Sequence, residues 1–261
     1  MRLTVAAAFV AALASCTSGG VGPAERSTDS PEPWKEMANR HPGRFAPRLY
    51  LAYDAAARQN WGEFDRLSRL LEEQAEDEAN LAGPLGTLFL AAGRSAPSGH
   101  STPYLEKARH SLERASREPG SDAELPFSLG ATCFLLRDFA AASASLQQSL
   151  EREPGNPAAV ALLVRSLLEQ GEPASALGWI EKAHGSIAPA ERHELVALCH
   201  YMMGQHAQAI RSYEAALDAD SANPRLWHNL GLCYEESRQA DKARECFARA
   251  ESLRHPAPDR R

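Results

Sequence analysis

The sequence lacks the features that identify an integral membrane protein, a nucleic-acid-binding protein or a zinc domain. Its one extended apolar run, at residues 3–13, is shorter than the roughly 20 residues that a membrane-spanning helix needs. The formal net charge is -6, and lysine and arginine form no basic stripe. There are 5 cysteines, and none of them forms a C-x-x-C pair. These absences predict a soluble globular domain after a short apolar N-terminus, with no nucleic-acid partner.

Motifs of the common catalytic and cofactor sites are also missing. There is no G-x-S-x-G, no P-loop and no G-x-G-x-x-G after a strand. His193-Glu194 begins like the zinc motif H-E-x-x-H, but position 197 is Ala197. We therefore predict no enzymatic activity, no cofactor and no metal, and we interpret His193 and His200 as packing residues. A metal-binding or enzymatic protein that uses His193 and His200 is the less favoured alternative.

Residues 1–15 have the character of a secretory signal peptide. A single cation, Arg2, precedes the apolar run, and the small residues Ala14 and Ser15 lead directly into Cys16. Together with Leu13, this order of residues resembles the lipobox of bacterial lipoproteins. The resemblance implies that the signal is cleaved before Cys16 and that Cys16 is lipidated, and several acyl chains would anchor the protein durably.

Thr17, rather than aspartate, follows the cysteine, and by family habit this implies anchoring at the outer membrane, facing the periplasm. An ordinary signal peptide with a soluble periplasmic product is the alternative. Residues 16–47 are predicted to be the lipidated cysteine and a flexible tether, because residues 17–33 are rich in serine, glycine, proline and charge.

A period of 33 or 34 residues runs through the rest of the chain. Alanines recur at this interval, and a large apolar residue follows each of them four positions later. The alanines are Ala108, Ala142, Ala176, Ala209 and Ala243, and the large residues are Leu112, Leu146, Ile180, Tyr213 and Phe247. The last period also contains Trp227, Leu230, Gly231, Tyr234 and Ala250.

This pattern resembles the tetratricopeptide repeat, W-x2-L-G-x2-Y followed by A-x3-F. The resemblance implies an all-α solenoid of helix-turn-helix units at residues 48–257, with a short tail at 258–261. We place six units at 48–78, 79–122, 123–156, 157–189, 190–223 and 224–257.

Two units depart from the pattern, and one has the character of an end. In the first unit, Asp54 lies where leucine is expected, which indicates a different register for that helix. The second contains an insertion at residues 94–103, which we predict to be a surface loop, with a loop that contacts a partner as the alternative. The last unit carries Arg244 and Glu251 on its outer side, a polar face typical of a terminal repeat.

The resemblance places binding on the surface that the first helix of each unit lines. By alignment of the units, the candidate residues are Phe127, Phe134, Arg165, Leu168, Glu194, Leu198, Tyr201, Met202, His228 and Leu232. These residues are more apolar than charged. We predict a groove for an apolar extended segment or an amphipathic helix, and the alternative is that these side chains pack between neighbouring repeats.

The sequence therefore predicts a non-enzymatic protein-binding scaffold or assembly factor at the cell envelope, whose partner is an envelope assembly component. The six-unit layout is similar to that of pilotin-type lipoproteins of type IV pilus assembly. It also resembles repeat lipoproteins that scaffold peptidoglycan enzymes or outer-membrane protein insertion, and the sequence does not separate these pathways. The remaining cysteines, Cys133, Cys199, Cys233 and Cys246, are predicted to be small buried residues. A disulfide among them stays open.

Overall fold

The computed structural model describes residues 40, 44–97, 99–117, 124–183 and 185–255. The predicted signal peptide, Cys16, the tail and nearly all of the tether lie outside these residues. From position 44 onward, the described residues form twelve α-helices and one short 3₁₀-helix, with no strand. None of the described helices is long and apolar enough to span a bilayer.

The helices follow one another along the chain as six helix-turn-helix pairs, as the repeat pattern predicts. In chain order they are α1 Phe45–Ala57, α2 Trp61–Asp77, α3 Ala82–Ser95, α4 Ser101–Ser116, α5 Glu124–Leu135, α6 Phe139–Arg152, α7 Pro157–Glu169, α8 Pro173–Lys182, α9 Pro189–Met202, α10 His206–Ala219, α11 Pro224–Glu236 and α12 Ala240–Arg254. The 3₁₀-helix, Ala79–Leu81, precedes α3. The predicted all-α, tetratricopeptide-type fold is confirmed.

The chain forms two compact units, the first ending at Leu136 and the second beginning at Arg137. The division falls in the turn of the third helix pair, so α1–α5 belong to the first unit and α6–α12 to the second. The candidate residues are therefore divided between two bodies, and each body is described separately below.

The helical region begins slightly earlier than predicted. The first helix, α1, starts at Phe45 and includes Pro47 in its first turn, whereas the repeats are predicted to begin at residue 48. Amide groups in the first turn of a helix have no intrahelical acceptor, so a proline there removes no hydrogen bond.

The core of the first compact unit contains two fully buried phenylalanines, Phe64 on α2 and Phe89 on α3. Their rings meet edge to face with centroids 6.3 Å apart, and the ring of Tyr104 on α4 lies 5.2 Å from that of Phe64. The Tyr104 hydroxyl donates a hydrogen bond of 2.8 Å to Asp65 Oδ1. These aromatic contacts hold α2, α3 and α4 together.

The turn inside each of the six pairs has the same backbone conformation. One residue with positive φ, between 57° and 96°, lies two positions before the second helix. These residues are Gln59, Gly99, Arg137, Gly171, Gly204 and Arg238. Only glycine adopts this left-handed conformation without steric cost, so half of the turns hold a residue that does not favour it.

This turn establishes the register of the first repeat. Gly231 lies seven positions before the left-handed residue of the last pair, and Ala52 lies seven positions before Gln59. Ala52 is fully buried, and Leu51 packs on the same core. Leu51-Ala52 is thus the counterpart of the Leu-Gly pair in the last repeat. The prediction of a shifted register is correct, and Asp54 does not occupy a core leucine position.

The second helix of the first repeat exchanges a large and a small residue. Counted from the turn, Phe64 stands where the last repeat has Ala243, and Ser68 stands where it has Phe247. Phe64 and Ser68 are both buried, at 0% and 1% exposure. Phe64 and Ser68 together fill about the same volume as Ala243 and Phe247, but the large residue comes first. This reversed order explains why the first unit matches the repeat pattern weakly.

Half of the predicted surface loop at residues 94–103 is helical. The first helix of the pair, α3, continues to Ser95, and α4 begins at Ser101, so only residues 96–100 connect the two helices. The inserted residues lengthen both helices. A Ser-Thr-Pro sequence at 101–103 is compatible with a helix start, because proline is tolerated in the first turn.

Glycines bring these two lengthened helices into close contact at two levels. A β-carbon added at Gly86 would lie 2.6 Å from Leu112 Cγ, and one added at Gly93 would lie 2.6 Å from Leu105 Cδ2. Each leucine therefore occupies the space that a side chain on the facing helix would need.

The predicted packing positions of the other repeats are confirmed. All five alanines of the repeat pattern are buried, and so are the large residues of units 2 to 5. Phe247, in the last unit, is half-buried. On the outer side of that unit, the side chains of Arg244 and Glu251 are 78% and 63% exposed, as predicted.

Candidate functional site

The first helices of the second compact unit, α7, α9 and α11, all begin with proline. In α7 and α11, the preceding residue is an asparagine whose side-chain oxygen accepts a hydrogen bond from a first-turn amide. These caps, Asn156 and Asn223, satisfy amides that have no intrahelical acceptor. The local sequence thus determines where these two helices start, and hence which residues each helix presents along its length.

A salt bridge joins α9 to α11. Arg225 Nη2 lies 2.8 Å from Glu194 Oε2, and the side chain of Glu194 is only 8% exposed. The interpretation of Glu194 as a residue that lines an open groove is therefore wrong. Its carboxylate is used to hold two neighbouring repeats together.

Two further candidates also pack inside the structure. Leu168 on α7 is 9% exposed and forms part of the core. The ring of His228 on α11 lies 5.3 Å from that of Phe247 on the second helix of the same repeat. For Leu168, and in part for His228, packing within and between repeats is the role that the structure supports.

The remaining candidates of this unit stay accessible. Met202, at the end of α9, is 52% exposed, and among the described residues it is the most exposed of the large hydrophobic side chains. Arg165, Leu198, Tyr201 and Leu232 are half-buried. We call these five residues the first-helix face. Leu198 and Tyr201 also pack on the core beneath it.

Two glutamates lie beside this face: Glu235, which alignment of the units also places on it, and Glu236, which the prediction leaves out. Burial of the Tyr201 hydroxyl raises the pKa of that group, and the negative charges of Glu236 and Glu235 raise it further. Both glutamates are exposed at the end of α11. Acidic residues are unfavourable at the negative end of a helix, and a search of helix ends for them would have found Glu236 as well.

The first compact unit contains the other two candidates, Phe127 and Phe134, on α5. Both are half-buried. The neighbouring Leu135, which is not among the predicted residues, is 42% exposed.

The two histidines of the alternative metal site, His193 and His200, both lie on α9. His200 Nδ1 lies 2.7 Å from Gln205 Oε1, and His193 is half-buried on the same helix. Among the described residues, no group of three or more histidine, cysteine, aspartate or glutamate side chains is placed to hold a metal ion.

The four cysteines of the repeats are buried, as predicted. Cys199, Cys233 and Cys246 are free thiols in the second unit, and Cys133 lies in the first. Burial raises the pKa of the Cys199 thiol to about 12 and that of Cys233 to about 11. Thiols protonated in this way are poor nucleophiles at neutral pH.

The paired helices, their shared turn and the small residues between them define a tetratricopeptide-repeat protein, a class that uses stacked repeats to bind other proteins. Residues 134–199 and 200–257 match the family model described as tetratricopeptide repeat. The repeats within residues 134–257 therefore match this family. No curated protein matches the chain.

Solved structures show the same fold. A fragment of MamA from Desulfovibrio magneticus RS-1 is 20% identical, covers 67% of this chain and 97% of its own, and has a TM-score of 0.55. YrrB, described as a tetratricopeptide protein with an unusual peptide-binding site, is 18% identical, with coverage of 73% and 93% and a TM-score of 0.53. At these identities the likeness concerns the fold.

Proposed function

We propose that this protein is a non-enzymatic scaffold that binds a segment of a partner protein on the first-helix face. The observation that carries the proposal is the exposure of Met202 beside the half-buried side chains of Tyr201 and Leu232. Apolar side chains grouped on a surface favour contact with a partner, and methionine adapts to different partner shapes.

The residues beneath the face are closely packed. Tyr213 and Leu226 are buried under it, at 1% and 2% exposure, in the core cluster on which Tyr201 packs. The Glu194–Arg225 salt bridge fixes α9 against α11. A partner therefore meets a surface that is already formed, which reduces the entropy lost on binding. YrrB supports the proposal as a protein of this fold described as having a peptide-binding site.

A photocrosslinking amino acid placed at Met202 tests the binding surface in the native host. We expect covalent adducts with one or a few partner proteins. The same amino acid at Glu251, which is exposed on the last second helix, serves as a matched control and should give none of these adducts. Identical adducts from both positions, or none from Met202, would contradict the proposal.

We further propose that the scaffold works at the cell envelope as an assembly factor, anchored through lipidated Cys16 to the outer membrane and facing the periplasm. The sequence of residues 13–16 supports this part of the proposal. Labelling with an alkyne-tagged fatty acid and the mass of the mature N-terminus test it. Cys16→Ser should abolish labelling, and an unlabelled wild-type protein in the soluble periplasmic fraction would favour the alternative without lipid.

A further inference from the structure

Two of the three first helices of the second compact unit, α7 and α11, end in acidic residues. Glu169 is the last residue of α7, and Glu235 and Glu236 are the last two of α11. Neither helix has a basic residue in its last turn. All three glutamates are exposed, and none forms an ion pair with another described side chain. The nearest cations along the chain are Arg165, one turn before Glu169, and Arg238, in the turn after α11.

This arrangement is electrostatically unfavourable in the protein alone. The C-terminal end of a helix carries partial negative charge from carbonyls that lack intrahelical donors, and a carboxylate beside it is repelled. Soluble proteins usually place lysine or arginine there. A cation on a bound partner would be attracted both by the carboxylates of Glu235 and Glu236 and by the carbonyl groups at the end of α11.

The glutamates adjoin the exposed apolar side chains. Leu232 lies three and four positions before Glu235 and Glu236, so the three share one side of α11. Tyr201 is within electrostatic range of both carboxylates, as the raised pKa of its hydroxyl indicates. Met202 is the next residue along α9 and is more exposed. We call Met202, Leu232, Glu235 and Glu236 the acidic edge.

We propose that the acidic edge selects a cationic amphipathic segment, in which apolar side chains contact Met202 and Leu232 while lysine or arginine pairs with Glu235 and Glu236. This inference rests on the proposed function and adds the charge of the partner to it. The argument is charge complementarity: the edge presents unpaired acids around apolar surface, and opposite charges across an interface determine which partners are accepted.

A displayed library of random 12-residue peptides, selected on the immobilised full-length protein, tests the charge of the partner. We expect enriched sequences to carry net positive charge together with leucine, phenylalanine, methionine or tryptophan. The strongest peptide should bind E235K/E236K roughly tenfold or more weakly than wild type at low salt, because two attractive pairs become repulsive. The loss should diminish at high salt.

The control variant E151K/E181K makes the same change of net charge on two exposed second-helix positions and should bind normally. Enriched peptides that are neutral or acidic, yet lose binding with Met202→Asp, would overturn the charge inference while supporting the binding face. Failure to enrich any peptide dependent on Met202 would count against the face itself. Equal weakening by both charge-reversed variants would also overturn the inference, because it would reflect net charge alone.

Discussion

The backbone of Gly231 lies directly against the ring of Phe247. A β-carbon at position 231 would come within 2.6 Å of Phe247 Cε1 and 2.8 Å of Cδ1. We therefore expect Gly231→Ala to destabilise the second compact unit by about 1–3 kcal/mol through overpacking, measured by urea unfolding. Gly178→Ala, in α8, is the matched control. A β-carbon added there would have no neighbouring atom within 4 Å, so the variant should be neutral or stabilising. Adding Phe247→Leu to Gly231→Ala should recover part of the loss, and an additive double variant would contradict the contact.

At the left-handed turn positions, we expect replacing glycine by alanine to lower stability and replacing arginine by glycine not to lower it. Gly171 and Gly204 have φ of 75° and 72° in open space, so an alanine there meets no atom and only backbone strain is introduced. We expect Gly171→Ala to cost about 1 kcal/mol or slightly more. Arg238→Gly, at a φ of 58°, should be close to neutral or stabilising despite the entropy of glycine. Thermal unfolding of both variants provides the measurement, and equal destabilisation by the two would refute the shared turn.

The Glu194–Arg225 pair predicts an asymmetry between its partners. Arg225→Ala leaves a carboxylate buried without its cation, whereas Glu194→Gln removes the charge and leaves a polar group. We expect the arginine variant to lose about 1–3 kcal/mol of unfolding free energy and the glutamine variant to lose less. The double variant should be more stable than Arg225→Ala alone. Denaturant unfolding of the three proteins completes the double-mutant cycle, and strict additivity would mean that the two residues do not interact.

Burial of the thiols predicts a loss of stability at alkaline pH. The reference pKa of a cysteine is 9.0, and in the folded protein burial raises that of Cys199 to about 12. The folded state therefore keeps a proton that the unfolded state releases, so the stabilisation is complete below pH 9 and is lost as the pH rises towards 12. The urea midpoint should fall between pH 8 and pH 10.5, and less steeply in Cys199→Ala. A thiol reagent at pH 8 should modify the denatured protein much faster than the native one.

Much of the fold is predictable from the sequence because most helix pairs need small and large side chains at the same positions of the repeat. In these pairs the second helix buries a small residue such as Ala209 and, one turn later, a large one such as Tyr213, and this requirement leaves a visible period. The first repeat departs from the pattern because Phe64 and Ser68 fill a similar buried volume with the large residue first and the small residue second. The helical insertion was predicted to be a loop because its serines and prolines are equally compatible with a helix start and with a turn.

The candidate site was less predictable, because burial of a first-helix residue depends on its neighbour in the next repeat. The carboxylate of Glu194 is buried and pairs with Arg225, which is 31 positions further along the chain. Met202, by contrast, remains exposed at the end of its helix. Alignment of the repeats places both residues on the same side, and only the three-dimensional partners distinguish them.

The two close contacts between α3 and α4 also bear on the order in which the repeats form. Gly86 with Leu112 and Gly93 with Leu105 link segments that are close in sequence, so they form with a small loss of loop entropy. A helical hairpin closed at two levels is a natural folding nucleus for its unit. Amides in the middle of α3 should then exchange with deuterium more slowly than those of α1, and the folding of the first unit would start at its second repeat.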